Sequence, residues 1–452
     1  MPDPVPASTV PSAPATALPA SLRHGYGVGA FAIAVANTAM MFFLLKYLVD
    51  SAGLSPAWAG SVLMIGKGWD AFADPVVGWL SDRTVTTMGS RRPWVLGGTV
   101  PFALAFVGTF WGLPWTGVGA LVGYTVLLLV YNAAYSAVVI PYGALTPALT
   151  ADYDERTKLN GARMGWSMIG GIVAGVAMPM LAHAYSWRTA ALVLGCLVIP
   201  PLFLVVWATR GRDISTPVPV GQGRAPSMWT VLNNRPYRRI VAQFCASWTV
   251  VSALGSLVPF YVEHHLHRTD LLDALFAAIQ ISALIFVPVI VYASKRMQKH
   301  TAYAVAMVLW AVVLTALALV PVGDATSAIA IACLVGPGVA AAHVLPWAML
   351  PDVVEIDRLQ GGVDRTGQFY GMMTFLEKVV LALTLWGVGL TLQAAGYVEG
   401  AASQPESARI AILCMLGPIP GVILLFAGIG AVLYPPLTRE EHARAQARPN
   451  PA

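Results

Sequence analysis

Lys67, Asp70 and Asp74 are the residues whose types and spacing most clearly indicate chemistry. They lie in an apolar stretch of membrane-spanning length, about residues 57–80. On a helix of about 3.6 residues per turn, the three side chains fall within roughly 60° of one another. Ionisable side chains inside a bilayer are costly unless they face a cavity or a partner. Their formal sum of −1 indicates a site that one Na⁺ or H⁺ would complete. The alternative is a Lys–Asp pair that only holds helices together.

The composition indicates what kind of protein positions these residues. Of the 452 residues, 57% are hydrophobic and only 11% are charged, and the mean hydropathy is +0.67. That is too little charge to cover the surface of a soluble domain of this size. Apolar runs of about 20 residues, each long enough to cross ~30 Å of hydrocarbon, recur along the chain. We therefore predict an all-α membrane protein. Its sequence has no phosphate-binding glycine-rich loop and no nucleophile elbow, so it is not predicted to be an enzyme.

The apolar runs predict twelve membrane-spanning helices in two halves of six. Basic residues concentrate in alternate loops, so the positive-inside rule places both termini in the cytoplasm. Paired halves with a site between them are typical of transporters in which the halves rock against each other. The predicted spans are 26–49, 57–80, 93–113, 118–146, 163–185, 189–209, 238–262, 272–294, 301–321, 326–350, 369–395 and 409–434.

The predicted organisation follows from these spans and from the longest polar loop. It comprises a disordered cytoplasmic tail (1–22), an N-terminal six-helix bundle (23–209), a cytoplasmic linker (210–237), a C-terminal six-helix bundle (238–435) and a cytoplasmic tail (436–452). We expect a multi-pass protein of the cell's inner membrane, with the lipid bilayer and a small-molecule substrate as partners. One chain holds both halves, so a monomer is expected. Topology explains the net charge of +5, and no nucleic-acid partner is predicted.

The loop after the second span carries a basic motif. Gly-Trp-Leu-Ser-Asp-Arg at 78–83 is followed by Gly-Ser-Arg-Arg at 89–92. Together they resemble the loop signature of the major facilitator superfamily, with an insertion between the two parts. The resemblance implies the major facilitator fold, twelve transmembrane helices in two pseudo-symmetric six-helix bundles. It also implies a cytoplasmic latch between the halves, formed by Gly78, Asp82, Arg83, Arg91 and Arg92.

A narrower resemblance rests on residues 67–79. Lys-Gly-Trp-Asp-Ala-Phe-Ala-Asp-Pro-Val-Val-Gly-Trp looks like the second-helix motif of the glycoside–pentoside–hexuronide:cation symporters, the family of the melibiose permease. The resemblance covers nearly the whole chain. Supporting matches are Tyr26–Gly29, Ile140–Tyr142, Leu159–Arg163, Leu350–Asp352, Phe369–Gly371 and Lys378.

This resemblance implies cation-coupled symport of a sugar or glycoside-like molecule by alternating access. Asp70 and Asp74 would bind the coupling ion, Na⁺ or H⁺, and no cofactor or other metal is expected. Lys67, Arg163 and Lys378 match basic family positions near the sugar and cation sites, although Arg163 could instead extend to the membrane interface. Candidates for hydrogen bonds to substrate are Asn37, Tyr142 and Gln243, and candidates for stacking are Trp69 and Trp347.

Three departures from the family pattern affect the substrate. The sugar-binding aspartates of the first and fourth helices are Ala34 and Val139 here, and the stacking aromatic is Gly143. A sugar needs several directional hydrogen bonds to replace its lost water. The alternative prediction is therefore a symporter of lysophospholipid or another amphiphile, a substrate of animal relatives in the same superfamily branch. A proton-coupled exporter is a third possibility.

Two further features bear on ion chemistry. Glu377 precedes Lys378 but points about 100° away from it on a helix, so it is expected to pair with another helix rather than share the site. The sequence Glu263-His264-His265-Leu266-His267 would suit a metal, but adjacent histidines diverge on a helix and no second ligand cluster is evident. We expect these residues to form an exposed extracytoplasmic loop.

Overall fold

The computed structural model describes residues 18–150, 153–212, 228–361, 365–401 and 403–436. Long helices make up nearly all of this part of the chain. Their bounds are α1 Ala20–Lys46, α2 Pro56–Arg83, α3 Arg92–Thr109, α4 Gly117–Leu149, α5 Tyr153–Ala184, α6 Trp187–Ala208, α7 Arg235–His264, α8 Leu272–Arg296, α9 Lys299–Ala318, α10 Ala325–Gly361, α11 Thr366–Ala394, α12 Glu406–Leu416 and α13 Pro418–Leu433. A π-helical turn, Tyr47–Ser51, extends α1, and short 3₁₀ turns at Met228–Asn233 and Thr269–Leu271 precede α7 and α8.

Local sequence explains several helix starts. α2 begins with Pro56, after Ser55, whose hydroxyl accepts a hydrogen bond from a backbone N–H of the first turn. Ser186 and Asn234 cap α6 and α7 in the same way. Such caps satisfy N–H groups that have no partner within the helix, and proline is tolerated at the first position because its missing N–H is not needed there.

Ten of these segments, counting α12 and α13 together, are long and apolar enough to cross a membrane. The remaining long helices are α2, which carries the charged motif, and α3. The predicted twelve-helix pattern is confirmed, with three differences. The polar run before residue 163 forms the first turns of α5, and α10 continues to Gly361 rather than 350, because hydropathy detects only the apolar part of a helix. The last span breaks at Gly417.

The break at Gly417 has a packing reason. A Cβ added there would lie 2.5 Å from the Cβ of Ala318 on α9, so a side chain would collide with the neighbouring helix. Pro418, which cannot donate a backbone hydrogen bond, starts α13 directly afterwards. The span predicted at 409–434 is therefore two short helices in line.

The predicted tails and linker need small corrections. α1 begins at Ala20, within the predicted tail of 1–22. The reason is burial, since Leu18 and Leu22 are 6% and 5% exposed and the Leu18 N–H donates to a Glu155 oxygen at 3.0 Å. Similarly, α7 begins at Arg235, inside the predicted linker. Residues 1–17, 213–227 and 437–452 lie outside the described residues.

The helices form two bundles, α1–α6 and α7–α13. In the first, α1 packs on α5 and α6, and α4 packs on α2 and α3; in the second, α10 packs on α8 and α9, and α9 packs on α13. The halves meet where α2 packs on α11, α5 on α8 and α1 on α7. Because α2 touches both α4 and α11, its inward side chains reach across the boundary between the halves.

The halves approach most closely at one end. We call the end of the bundle at which α1 begins the tail end, and the opposite end the far end. At the far end, a Cβ added to Gly389 of α11 would lie 2.3 Å from the Pro56 carbonyl oxygen of α2. Gly255 of α7 would likewise collide with the Phe42 ring of α1 at 2.1 Å. Only glycine permits the approach to the Pro56 backbone, and a side chain at position 255 would displace the Phe42 ring. By contrast, a Cβ added at Gly143 or Gly371, nearer the tail end, would meet nothing within 4 Å.

Candidate functional site

A charged cluster joins the two halves at the α2–α11 contact. The structure places Lys67, Asp70 and Asp74 of α2 against Lys378 of α11. The Lys378 ammonium contacts Asp74 directly and lies 3.8 Å from a carboxylate oxygen of Asp70. The Lys67 ammonium lies 3.6 Å from the same oxygen. Lys378 thus supplies a second positive charge close to the three predicted residues.

Asp70 is the least satisfied member of this cluster. It is 1% exposed, and neither of its carboxylate oxygens has a hydrogen-bond partner among the described residues. A buried carboxylate normally accepts several hydrogen bonds, because leaving it unsatisfied costs its full desolvation penalty. Hard oxygen ligands with free lone pairs suit Na⁺, and a single proton would also neutralise the group. The residues therefore fit a monovalent cation.

Helix α4 completes the cluster with residues that sequence reasoning missed. The Ser136 hydroxyl donates to the other oxygen of Asp74 at 2.5 Å. The Tyr135 ring lies 5.9 Å from the Lys67 ammonium. One turn earlier, the Asn132 amide donates to the Gly66 carbonyl of α2 at 2.8 Å. The sequence signal that could have identified these residues is a set of polar side chains at helical spacing within an apolar span.

Glu377 precedes Lys378 on α11 and is half-buried. Helix α11 packs on α2 and on α7. The expectation that Glu377 pairs with another helix stays a prediction.

Arg163 lies nearer the tail end, against two aromatic rings. Its guanidinium carbon is 5.1 Å from the Tyr142 ring centroid and 6.0 Å from that of Tyr26. The same group donates to the side chains of Asn160 and Thr146 at 3.3 and 3.4 Å. Stacking on aromatic faces holds a guanidinium in place and leaves other N–H groups free for an anion.

Tyr142 is closely packed within the N-terminal half. It is 1% exposed, stacks on Tyr26 with ring centroids 4.8 Å apart, and donates its hydroxyl hydrogen to the Tyr26 carbonyl at 3.0 Å. Its ring also supports the Arg163 guanidinium, and the predicted hydrogen bond to substrate stays a prediction.

The second half contributes an aromatic surface. Trp347 of α10 packs edge-on against Phe244 at 5.7 Å and tilts over Tyr370 at 6.1 Å. Trp248 of α7 contacts His343 at 5.0 Å. We call these five residues the aromatic surface. Trp347 thus lies in a group able to stack on a flat or apolar substrate.

The remaining predicted substrate positions are dispersed. Asn37 is half-buried on α1, and Trp69 is 42% exposed beside Asp70. Gln243 is 4% exposed, and its side-chain oxygen has no partner in the described part of the chain. Ala34 and Val139, the positions of the missing aspartates, are half-buried.

The described contacts of two predicted latch residues lie within the first half. Arg92 is 6% exposed and donates to the Val206 carbonyl of α6 at 2.6 and 3.1 Å. The Arg83 guanidinium lies 4.0 Å from the Trp79 ring of its own helix. The Arg92 contact joins α3 to α6, and the predicted latch between the halves stays a prediction. A Cβ at Gly78 would have an ordinary 3.7 Å contact, Arg91 is half-buried, and the Asp82 side chain lies outside the described residues.

A polar network instead bridges the halves at the far end. Lys46 of α1 pairs with Asp50 at 2.7 Å and contacts Glu263 of α7. Tyr397, which follows α11, donates to Asp50 at 2.8 Å, and its oxygen lies 2.8 Å from Nε2 of His264. We call these five residues the far-end network. It fixes α1 to α7 and to the end of α11.

The far-end network corrects the expectation of an exposed histidine loop. His264 and His265 are 3% and 6% exposed, because α7 runs on to His264 and both rings find partners. Ligand atoms of Asp50, Glu263 and His264 lie within 4.8 Å of one another, a spacing that would suit a metal. The Lys46 ammonium already binds both carboxylates, and it supplies the positive charge at this position.

Comparison with known proteins identifies the family. The family described as MFS/sugar transport protein matches residues 25–438. The chain belongs to this family. Membership agrees with the predicted major facilitator fold, with the resemblance to the melibiose permease family and with a transporter rather than an enzyme.

Individual relatives give a consistent picture. The chain is 30% identical to an uncharacterized symporter of Synechocystis, over 93% of this chain and 94% of that protein. It is 27% identical to the sodium-dependent lysophosphatidylcholine symporter 1-B of Danio rerio, over 91% and 86% of the two chains. It is also 27% identical to a putative sulfoquinovose importer of Salmonella typhimurium, over 84% and 83%.

Among solved structures, the nucleoside transporter NupG superposes with a TM-score of 0.65. The match covers 91% of this chain and 99% of the transporter, at 15% identity. At that identity the likeness concerns the fold alone, and it agrees with the two six-helix bundles.

Proposed function

We propose that this protein is a cation-coupled secondary symporter that works by alternating access. The observation that carries the proposal is the buried Asp70 carboxylate, whose oxygens have no hydrogen-bond partner among the described residues although the group lies at the contact between the halves. The names of the relatives support coupling to an ion, and one of them is sodium-dependent. The coupling ion is Na⁺ or H⁺, bound by Asp70 and Asp74.

Coupling would arise from competition between the ion and Lys378. In this structure the Lys378 ammonium of α11 forms an ion pair with the Asp74 carboxylate of α2. This ion pair joins the two halves. A cation that binds Asp70 and Asp74 displaces the ammonium group and changes the α2–α11 contact. Because the ion and the inter-half ion pair use the same carboxylate, binding at the site biases the equilibrium between the two orientations of the halves.

The first substrate class is a sugar or glycoside-like molecule. The family description and the sulfoquinovose importer support it. Arg163 would bind an anionic group of the substrate, and the open space at Gly143 would hold its bulk. Asn37 and Gln243 remain candidates for hydrogen bonds to sugar hydroxyls.

A lysophospholipid or another amphiphile is the second class. The aromatic surface and the half-buried Ala34 and Val139 offer apolar contact where the sugar-binding aspartates are missing, and the Danio rerio relative is named for a lysolipid. Arg163 would then bind the phosphate. Both substrate classes would use Arg163, so an uptake measurement is needed to distinguish a sugar from a lysophospholipid or another amphiphile.

Sidedness and assembly follow from the same proposal. The tail end would face the cytoplasm, since basic loops favour that side, and the protein would lie in the inner membrane as a monomer. The far-end network would then close the extracytoplasmic side in this structure, and a substrate would leave towards the tail end.

Uptake into proteoliposomes tests the proposal. A pooled panel of glycosides, pentoses, uronides and lysolipids is offered under an inward Na⁺ or H⁺ gradient, and the contents are identified by mass spectrometry. Asp70→Asn is expected to insert normally but to lose concentrative uptake, because its neutral amide cannot bind the ion. The control is Asp324→Asn, in a loop where the carboxylate accepts from the hydroxyl and the backbone N–H of Ser327. Concentrative uptake by the Asp70 variant would overturn the proposal.

A further inference from the structure

His343, a member of the aromatic surface, has one ring nitrogen in a fixed role and the other without a partner. Its Nδ1 lies 2.8 Å from the Val339 carbonyl oxygen, one turn earlier on α10. A carbonyl oxygen only accepts, so Nδ1 carries the proton and donates it. An imidazole inside a bilayer is neutral, since a charge there is costly. Nε2 is therefore a hydrogen-bond acceptor, and it has no partner among the described residues.

The direction of His343 places this acceptor on the side of α10 that faces away from α9. A Cβ added to Gly338 of α10 would collide with the Trp310 ring of α9 at 2.0 Å, so that side of α10 is covered. His343 lies five residues later, about 140° around the helix, and it is exposed. Its ring contacts Trp248 of α7, the helix that packs on α1 of the first half. The imidazole is therefore open towards the boundary between the halves.

Trp248 supplies the complementary group, a donor that lacks an acceptor. The residue is half-buried on α7, and its indole Nε1 is buried with no hydrogen-bond partner among the described residues. An indole N–H can only donate, and a buried donor left unpaired destabilises the structure. A bound molecule that offers an oxygen atom would remove this penalty.

The donor and the acceptor lie side by side. The ring centroids of Trp248 and His343 are 5.0 Å apart and the ring planes are inclined by 53°, yet the indole N–H does not bond to the imidazole. One hydroxyl group satisfies both, because its oxygen accepts a hydrogen bond and its hydrogen is donated. A phosphate or sulfonate oxygen without a proton only accepts, and an ammonium group only donates. The pair therefore selects a hydroxyl group.

We propose that His343 and Trp248 bind one hydroxyl group of the transported molecule. The proposal rests on the proposed function, because it assumes that this molecule binds between the halves. Side chains commonly change rotamer on binding, and the Trp248 N–H turns towards the hydroxyl oxygen while the hydroxyl donates to Nε2 of His343. The other rings of the aromatic surface contact neighbouring C–H groups. The ligand chemistry is thus a hydroxyl on an apolar C–H surface, as in a sugar ring or the glycerol of a lysolipid.

Binding of matched ligand pairs tests this role. The full-length protein in nanodiscs, at constant Na⁺ and pH, is titrated calorimetrically with methyl glucoside, methyl galactoside, methyl xyloside, glucuronate and oleoyl lysophosphatidylcholine, with empty nanodiscs as the blank. Each probe that binds is compared with analogues in which one hydroxyl is replaced by hydrogen. Loss of one particular hydroxyl is expected to weaken binding to the wild-type protein roughly tenfold, because it leaves the donor and the acceptor unpaired.

Two variants remove the hydrogen bonds and keep aromatic rings in place. His343→Phe lacks the acceptor, and Trp248→Phe lacks the donor. Each is expected to bind the hydroxylated probe roughly tenfold more weakly than the wild-type protein does. Each is also expected to bind the probe and its deoxy analogue equally, within about threefold, because the partner of that hydroxyl is already gone. A side chain that mattered only for packing would weaken both ligands and leave their ratio unchanged.

A conservative variant and a distant one complete the series. His343→Gln keeps an acceptor near the position of Nε2 and is expected to bind the hydroxylated probe within about threefold of the wild-type protein. Trp229→Phe is the control for loss of an indole, since Trp229 is 57% exposed and precedes α7. It should leave every affinity unchanged.

The outcomes keep this proposal apart from coupled symport. The hydroxyl site is overturned if no hydroxylated probe binds the wild-type protein, or if His343→Phe and Trp248→Phe keep the wild-type preference for the hydroxyl, whatever Asp70→Asn does. If both variants lose that preference while Asp70→Asn retains concentrative uptake, the hydroxyl site stands and coupled symport is overturned. A preference among the sugars assigns the site to a sugar hydroxyl, and one for lysophosphatidylcholine alone assigns it to the glycerol hydroxyl.

Discussion

The charged cluster at the α2–α11 contact and the far-end network use the same residue types in different ways. Each has a lysine shared between two carboxylates, and each crosses between the halves. In the far-end network every carboxylate has a donor, since Asp50 accepts from Lys46 and Tyr397 and Glu263 contacts Lys46. In the charged cluster, Asp70 has no hydrogen-bond partner among the described residues.

The charged cluster and the far-end network also differ in their exposure to water. The Glu263 side chain is 34% exposed, so solvent screens the far-end network, whereas Asp70 is 1% exposed. A satisfied, partly hydrated network holds two surfaces together without help. A buried and unsatisfied carboxylate requires a ligand. The comparison indicates that hydrogen-bond satisfaction, rather than charge alone, separates a contact that closes the bundle from one that binds an ion.

The largest expected effect is at Asp74. Asp74→Asn removes the partner of Lys378 and the acceptor of the Ser136 hydroxyl. Breaking one partner of a buried ion pair costs about 3–5 kcal/mol, so we expect at least roughly 100-fold less concentrative uptake. Asp50→Asn, the matched change at the far-end network, should keep the dependence on the ion gradient. Uptake assays on the two variants would contradict the comparison if both lost that dependence.

An intermediate effect is expected at Glu263. Glu263→Gln weakens the bridge from Lys46 across the halves, and the loss of a partly exposed ion pair is about 1 kcal/mol or less. We expect the population opened at the far end to rise up to roughly fivefold. Distances between spin labels at the exposed Val118 and Val322, one in each half, would report it. Glu406→Gln, on α12, is the control and should leave the distance distribution unchanged.

A smaller effect is expected from Arg163→Lys. Lysine keeps the charge but loses the planar stacking on Tyr142 and Tyr26. Stacking of this kind contributes about 0.5–2 kcal/mol, so the KM for a phosphate- or sulfonate-bearing substrate should rise about threefold to tenfold. The apparent affinity for the coupling ion should not change. An equal change in both constants would place Arg163 in the ion site instead.

The smallest expected effect is at Glu155, outside the membrane-spanning segments. The hydrogen bond from Lys158, with that from the Leu18 N–H, holds the pKa of Glu155 below its ordinary value. A lowered pKa in the folded state stabilises the protein above the unfolded pKa, and this stabilisation is lost as the pH falls through the lowered value. Glu155→Gln should therefore reduce Tm slightly at neutral pH, and the reduction should shrink as the pH is lowered through the acidic range, as thermal unfolding would show.

Most of the fold could be predicted from the sequence, because hydropathy reports each apolar helix independently of its neighbours. The helix-2 motif also identified three members of the charged cluster. The partners of those residues were harder to predict. Ser136 and Tyr135 lie on another helix, and periodicity describes one helix at a time.

The polar bridge between the halves at the far end shows the same limit. The basic loop motif predicts a bridge at Arg83 and Arg92, and that bridge stays a prediction. The far-end network joins Lys46, Glu263 and Tyr397, residues more than 100 positions apart in the chain. Nothing in their local sequence marks them as partners, so only tertiary packing reveals the contact.

The glycine contact between α2 and α11 has a mechanical consequence. Gly389 rests on the Pro56 carbonyl at the far end, and backbones in direct contact act as a pivot with little slack. At 1.5 Å per residue, Lys378 lies about 16 Å along α11 from this pivot and Thr366 about 34 Å. A tilt of α11 therefore moves its tail-end terminus about twice as far as it moves Lys378. The helix is a lever that doubles the small displacement of one ammonium group.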